Sequence, residues 1–164
     1  HRLAQKADSF PKTIIHRDFQ SQNIMIHKGI PRLIDYQGAR MGPSAYDVAS
    51  ILWDPYYRLK DNMREIFLEY YINNIEKHHP PIPPLTRGGL GGVNAFIKNS
   101  FIESLTLCRL QRHMQALGAY GFLFAVKGKE YFLKHVPEGI RLLKEDVALV
   151  KNDYPVLYGL VMEL

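Results

Sequence analysis

The chain has 164 residues, 46% of them hydrophobic and 12% aromatic, which is the size and composition of one folded domain and excludes a disordered chain. The formal net charge is +5, but the basic residues are scattered singly, so we expect no nucleic-acid partner. Cys108 is the only cysteine, which excludes an intrachain disulfide, and no apolar run is long enough to cross a bilayer. We therefore expect a cytoplasmic protein without membrane contact.

The first forty residues contain the β structure that the sequence predicts. A helical tail over residues 1–9 precedes a short β-branched run at 13–15. Two further apolar runs, 23–27 and 32–36, flank a turn that contains Gly29 and Pro31, which predicts a β-hairpin. Pro31 is expected in the turn or at the first position of the second strand, because it cannot donate to a ladder.

The remainder of the chain predicts helices. Asp47 opens one helix, Asp61 is a candidate N-cap of a second, and a third runs past Cys108 to an end near Gly118. Pro137 fits the first turn of a last long helix, and the proline-rich run 79–84 should be an extended connector. The predicted fold class is thus α+β, mostly α, with one short hairpin and a helical bundle.

The segment that indicates chemistry is His16-Arg17-Asp18-Phe19-Gln20-Ser21-Gln22-Asn23, followed by Asp35 at the far end of the hairpin. Phosphoryl transfer needs a carboxylate that orients the attacking hydroxyl and oxygen ligands for a divalent metal. The hairpin should bring Asn23 and Asp35 together as two metal ligands, with Asp18 a few ångströms away as the base. The protein-kinase catalytic loop has the same spacing from its Asp to its Asn.

These residues resemble the catalytic core of the aminoglycoside phosphotransferase and choline-kinase-like family. The run Gln37-Gly38-Ala39-Arg40, Gly42-Pro43 and Tyr46-Asp47-Val48-Ala49-Ser50 is most similar to a bacterial branch that includes kinases of N-acetylmuramate and N-acetylglucosamine. The resemblance runs from about residue 10 to residue 135 and is densest over 14–56.

The resemblance implies a protein-kinase-like C-terminal lobe in which Asp18 is the catalytic base and Asn23 and Asp35 bind Mg²⁺. It implies that Asp47 anchors the catalytic loop by accepting hydrogen bonds, and that His16 supports the same loop. Two differences from the motifs of related kinases narrow the class of substrate that we expect. Many antibiotic kinases have Gly where Arg17 stands, and Tyr36-Gln37 replaces the Phe-Gly of protein kinases, so we expect no protein substrate.

Other polar residues have two interpretations each. Arg40 is either a cation that reaches phosphate or substrate, or a solvated loop residue. Asp54 and Tyr56 either line a sugar pocket or serve only as the end of a helix. Arg109 and Arg112, on the long helix, are expected to be surface charges. Cys108 is expected to be a core thiol.

The family's N-terminal lobe, which clamps the nucleotide, is not recognisable in these residues. We therefore expect residues 1–164 to be a single domain, the catalytic and substrate lobe, with an exposed apolar patch near the hairpin. That patch should bind the missing lobe, or another copy of the chain in its place.

The sequence therefore predicts an ATP- or GTP-dependent, magnesium-requiring kinase lobe that phosphorylates the hydroxyl of a small molecule, a sugar or amino sugar. The lobe alone should have little activity. The alternatives are a catalytically inactive kinase-like binding or regulatory protein and, ranked below it, a metal-dependent phosphohydrolase.

Overall fold

The computed structural model describes the backbone of residues 2–78 and 90–164 and the side chains of residues 3–75 and 98–164. The predicted predominance of helix, with a small β part, is confirmed in these ranges. The predicted connector at 79–84 lies outside them. The elements in chain order are α1 Arg2–Asp8, β1 Lys12–Ile15, β2 Ile24–His27, β3 Ile30–Leu33, β4 Arg40–Pro43, α2 Ala45–Leu52, α3 Asp61–His78, α4 Leu90–Lys127, α5 Val136–Leu149 and α6 Pro155–Met162.

The predicted hairpin is confirmed as β2 and β3, which pair antiparallel with Ile24 opposite Leu33. Lys28 and Gly29 form its turn with φ of 51° and 76°, the positive values that suit the twist of two-residue hairpins. Pro31 lies at the second position of β3, one residue beyond the predicted placement. A two-stranded sheet has only edge strands, so the missing N–H of Pro31 is tolerated there.

The fourth strand, β4, was not predicted from the sequence. It pairs antiparallel with β1, with Ile15 opposite Arg40 and Thr13 opposite Gly42. A Cβ at Gly42 would lie 2.5 Å from Ile15 Cδ1, so any larger residue there would force the Ile15 side chain to shift. Because β1 pairs with β4, residues 16–39 form one segment whose two ends lie side by side at this two-stranded sheet.

The helix α4 is longer than predicted. It continues through Gly118 and Gly121 to Lys127, although a glycine in a helix interior costs about 1 kcal/mol relative to alanine. Packing offsets that cost, because Ala116 and Tyr120 on the same helix are buried. The short C-terminal helix α6 was also not predicted.

Two apolar clusters hold the helices together. The first joins α2, α3, α4 and α5, and the second joins α4, α5 and α6 to Phe10. Cys108 lies in the first cluster and is 1% exposed, so the expected core thiol is confirmed. Burial raises the pKa of this thiol to about 12, which keeps it protonated and unreactive at neutral pH. Within the described residues, no helix combines the length and apolarity needed to cross a bilayer.

The predicted apolar patch near the hairpin is confirmed. Met25, Ile26, Ile30 and Leu33 on the hairpin are each more than half exposed. Beside them, a cavity of about 810 Å³ opens between β1, the hairpin and the helices α2 and α3. Its lining is mainly apolar and includes the exposed rings of Tyr36 and Tyr70.

Candidate active site

The loop between β1 and β2 brings Asp18 and Asn23 into contact. Asn23 Nδ2 donates a hydrogen bond of 2.8 Å to the backbone carbonyl of Asp18. A one-turn 3₁₀ helix, Ser21–Asn23, makes this approach possible by reversing the chain just before β2. The Asp18 side chain is 46% exposed, so its carboxylate is accessible to a small molecule.

The hairpin places Asn23 and Asp35 at the same end. Ile34 N–H donates to the carbonyl of Asn23 over 3.1 Å, one residue beyond the last ladder pair of β2 and β3. Asp35 follows directly and has φ of 66°, a left-handed conformation that turns the chain into the 3₁₀ helix Tyr36–Gly38. Asn23 and Asp35 therefore lie at the open end of the hairpin, and the backbone of Asp18 is held against Asn23.

The donor set at this end suits Mg²⁺. The amide nitrogen of Asn23 is engaged with Asp18, which leaves Oδ1 as an acceptor without a partner among the described residues. Asp35 Oδ1 accepts from Gln37 Nε2 over 2.6 Å, and its Oδ2 has no such partner. Magnesium prefers oxygen ligands, and in nucleotide sites it takes one or two from protein side chains and the rest from phosphate and water.

Asp47, in the first turn of α2, accepts hydrogen bonds from the backbone of the loop. The N–H groups of His16 and Arg17 donate to Oδ2 and Oδ1 of Asp47 over 2.6 and 2.9 Å. Burial raises the pKa of the Asp47 carboxyl, and these two backbone donors partly oppose that shift. The bonds fix the peptide units that lead directly into Asp18.

His16 links the loop to the hairpin. Its Nε2 lies 3.0 Å from the carbonyl oxygen of Ile34, and since a carbonyl only accepts, Nε2 carries the proton. The imidazole thus holds the residue that precedes Asp35. His16 was expected to support the catalytic loop, and its side chain contacts the far end of the hairpin.

For Asp54 and Tyr56, the structural interpretation fits better than substrate contact. Asp54 is 2% exposed, and its carboxylate accepts the backbone N–H of Ser21 over 2.7 Å and that of Tyr56 over 2.8 Å. With both oxygens occupied, Asp54 holds the loop at Ser21. The ring of Tyr56 packs against His135, with 4.7 Å between ring centroids.

Arg40 lies on β4 opposite Ile15 and is exposed, and its side chain makes no hydrogen bond or ion pair with another described residue. It lines a second cavity, on the side of β1 and β4 that faces α1 and α4, together with Arg17. Arg40 therefore borders a cavity that Asn23 and Asp35 do not line.

The prediction that Arg109 and Arg112 are surface charges is wrong. Arg112 is 7% exposed, and its Nη2 lies 2.6 Å from Gln20 Oε1 and 3.9 Å from Asp18 Oδ1. The sequence contained a signal for this burial, because Arg112 follows the buried Leu105 and Cys108 at helical spacing. Arg112 is therefore a site residue that the sequence analysis missed.

Arg109 belongs to a buried polar network that also includes His113 and Asp146. Asp146 on α5 is fully buried, with its two oxygens 2.5 Å from Arg109 Nη2 and His113 Nδ1. His113 Nε2 lies 2.9 Å from the carbonyl of Trp53, and Arg109 lies over the Trp53 ring, 4.1 Å from its centroid. Because Trp53 precedes Asp54, the network positions the segment that holds Ser21.

Comparisons with known proteins relate this part of the chain to a family. Residues 1–81 match the model of the phosphotransferase enzyme family APH, and the match includes the loop, the hairpin and Asp47. The resemblance to the aminoglycoside phosphotransferase family is thereby confirmed.

The curated proteins that are similar to this chain have more specific names than the family does. An N-acetylmuramate/N-acetylglucosamine kinase of Neisseria meningitidis is 29% identical over 154 residues, which are 94% of this chain and 42% of that protein. Proteins of the same name from Pseudomonas aeruginosa and Pseudomonas putida are 26% and 25% identical over 89% and 87% of the chain. The chain spans 40% and 39% of the lengths of these two relatives.

Proposed function

We propose that residues 1–164 form the catalytic and substrate-binding lobe of a protein-kinase-like small-molecule kinase. The observation that supports this most directly is the contact between Asn23 and the Asp18 backbone, with Asp35 at the same end of the hairpin. A half-exposed carboxylate beside two oxygen ligands is what transfer of a phosphoryl group to a hydroxyl requires.

In this proposal, Asp18 accepts a hydrogen bond from the acceptor hydroxyl. It takes the hydroxyl proton as the new oxygen–phosphorus bond forms and the bond from the γ-phosphorus to the departing nucleoside diphosphate breaks. The backbone bonds to Asp47 and the contact of Gln20 with Arg112 hold the loop, so that the carboxylate needs little reorganisation during the reaction. Positioning of this kind supplies much of the rate enhancement in phosphoryl transfer.

Asn23 Oδ1 and Asp35 Oδ2 would hold Mg²⁺ together with the phosphates of ATP or GTP. The bound ion would neutralise charge on the phosphates during transfer. Asn23 contributes a neutral oxygen, which avoids the repulsion that a third carboxylate beside Asp18 and Asp35 would add. The two protein ligands would come from the residue that precedes β2 and from the segment that follows β3, so that the pairing of the two strands holds both at one end of the hairpin.

The acceptor we propose is the hydroxyl of a sugar or amino sugar. The names of the similar curated proteins, which act on N-acetylmuramate and N-acetylglucosamine, support this substrate class. Use of a cytosolic nucleotide would place the reaction in the cytoplasm.

The exposed hairpin face would bind a nucleotide-clamping N-terminal lobe, or a second copy of the chain in its place. The relatives are more than twice as long as the matched region, which leaves room for such a lobe in those proteins. We therefore expect the 164 residues alone to show little phosphotransferase activity, since nothing in the described part of the chain covers the nucleotide.

The test is transfer of ³²P from labelled ATP to N-acetylmuramate and N-acetylglucosamine by the intact gene product. The variant Asp18→Asn should reduce kcat by roughly 10²- to 10⁴-fold, the usual contribution of a positioned base. Its affinity for Mg²⁺–ATP, measured by calorimetry, should stay within twofold of the wild-type value. Equal turnover in the variant would refute the role of Asp18, and no transfer to any sugar would refute the substrate class.

An inactive binding protein is the competing function. It predicts that Asn23→Ala and Asp35→Ala leave the affinity for Mg²⁺–ATP unchanged, whereas the kinase proposal predicts a loss of at least tenfold for each. Asn23 Oδ1 and Asp35 Oδ2, which have no partner within the described ranges, favour the kinase.

A further inference from the structure

The second cavity of the molecule lies behind the catalytic loop. It has a volume of about 510 Å³ and is bounded by α1, by β1 and β4, and by α4. This volume is within the range of small-molecule sites, and polar atoms account for more of its lining than in the cavity beside the hairpin. None of the residues assigned to the proposed transfer reaction, Asp18, Asn23 and Asp35, lines it.

The charges around this cavity are unbalanced. Three cations, Lys12, Arg17 and Arg40, line it together with one carboxylate, Asp8. Asp8 is already paired with Lys12, whose Nζ lies 2.5 Å from its Oδ1. Arg17 and Arg40 have no carboxylate within ion-pair distance in the described parts of the chain, so the cavity carries an excess of two positive charges. Like charges that share a cavity repel each other unless an anion lies between them.

The backbone at Arg17 adds a second observation. Its φ is 75°, a conformation that costs a residue with a Cβ and that glycine adopts without strain. The side chain placed there makes one hydrogen bond to protein, a long one of 3.4 Å from Nη1 to the carbonyl of Gly38. Strain of this kind, at a residue with few contacts of its own, is typical of a functional position.

Hydrogen-bond donors accompany the two guanidinium groups. Tyr46 on α2 and Gln115 on α4 line the same cavity, and the Tyr46 hydroxyl donates to Gln115 Oε1. The amide nitrogen of Gln115 is left as a donor beside the cavity. Burial raises the pKa of Tyr46, so that its hydroxyl stays protonated at neutral pH.

We propose that this cavity is an anion site, in which Arg17 and Arg40 bind the phosphate group of a small molecule. A phosphate monoester carries a charge of about −1.5 to −2 at pH 7, which matches the excess of two positive charges. Guanidinium groups present paired N–H donors that fit the oxygens of phosphate. Free inorganic phosphate and a phosphorylated sugar share this chemistry.

Binding at this site would act on the loop next to it. Arg17 precedes Asp18, and its backbone N–H is fixed by Asp47. An anion that holds the guanidinium of Arg17 would therefore stabilise the strained peptide at the entrance to the loop. The site is separate from the proposed transfer reaction, and its occupancy can be measured without any turnover.

The experiment is a calorimetric titration of the purified chain with inorganic phosphate at constant ionic strength, without nucleotide or magnesium. We expect saturable binding that weakens at least tenfold in Arg17→Gln and in Arg40→Gln. The matched control is Arg32→Gln, which removes the same charge from an exposed position on β3 that lines neither cavity. It should bind phosphate within twofold of the wild type.

A further variant, Arg17→Gly, guards against misfolding, because glycine adopts the positive φ without strain and should preserve the fold. It should lose phosphate binding as Arg17→Gln does. Titration with glucose 6-phosphate and with glucose separates the two sources: tighter binding of the ester indicates a sugar phosphate, and tighter binding of inorganic phosphate indicates the free ion. Equal weakening in Arg32→Gln, or no binding by the wild type at 100-fold molar excess, would overturn the proposal.

Discussion

Arg112 and Gln20 are joined across the site by a hydrogen bond of 2.6 Å from Nη2 to Oε1. The same nitrogen lies 3.9 Å from Asp18 Oδ1, so one buried guanidinium contacts both the residue proposed as the base and the side chain two positions later. The helix α4 thus places a positive charge directly behind the loop. Hydrogen bonds from charged groups contribute about 1.5–3 kcal/mol, more than neutral ones.

We predict that Arg112 and Gln20 act as a pair in catalysis. Arg112→Met should lower kcat about 10- to 100-fold in the intact enzyme, the equivalent of one charged hydrogen bond, and should change the KM for nucleotide little. Gln20→Ala should have a smaller effect. In a double-mutant cycle the two losses should be less than additive by about 1 kcal/mol, and strict additivity would show that the contact has no role.

We predict that Asp47 is a main source of stability in the loop. Asp47→Ala leaves the backbone N–H groups of His16 and Arg17 without acceptors, at a cost of about 1–3 kcal/mol for each group that stays buried. Urea denaturation of the 164-residue chain should therefore show a loss of about 2–4 kcal/mol. The control Asp61→Ala removes an exposed carboxylate at the start of α3, and a similar loss there would contradict the prediction.

We predict a larger loss at Asp146. Asp146→Asn removes the negative charge between Arg109 and His113, and breaking a buried ion pair in this way costs about 3–5 kcal/mol. The conservative size of asparagine separates the effect of charge from that of packing. If thermal unfolding of Asp146→Asn resembles that of the wild type, the charge of Asp146 contributes little to stability and hydrogen bonds hold the network together.

We predict a weak pH dependence from Glu138 and Arg141 on α5. The Arg141 guanidinium, which donates two hydrogen bonds to the Glu138 carboxylate, lowers the pKa of Glu138 below its ordinary value of 4.5. A carboxyl with a lowered pKa in the folded state stabilises the fold above its unfolded pKa and loses that contribution as pH falls through the folded value.

The measurement compares the wild type with Glu138→Gln in urea at pH 7 and pH 3. We expect a difference of about 0.5–1 kcal/mol at pH 7, since the pair is partly exposed, and none at pH 3. Glu65→Gln, at an exposed residue of α3, should match the wild type at both values. A difference that persists at pH 3 would mean that shape, not charge, is responsible.

The parts of this molecule that the sequence predicted depend on short-range order. Asp18, Asn23 and Asp35 lie within one segment, and the turn at Lys28 and Gly29 sets their relation to one another. Local pattern and turn chemistry suffice for such a segment. The hairpin and the position of its polar end could therefore be predicted from the sequence alone.

The parts that were missed depend on contacts between distant segments. Asp54 was a candidate for sugar binding, since nothing near it in sequence reveals that Ser21 would occupy its carboxylate. Arg112 was assigned to the surface because a long side chain on a helix is usually solvated. The spacing from Leu105 and Cys108 did indicate a buried helix face, but the contact of Arg112 with Gln20 depends on the position of α4 beneath the loop, which the packing of α2 against α4 sets.

The long sequence separation between Gln20 and Arg112 affects when this loop can fold during translation. Gln20 and its partner Arg112 are 92 positions apart, so at about 5–20 residues per second the ribosome makes the second roughly 5–18 seconds after the first. During that interval the nascent loop has no guanidinium to hold it. Translation must therefore pass through most of α4 before the loop can reach its final form, and truncation upstream of that helix leaves the polar end of the hairpin unsupported.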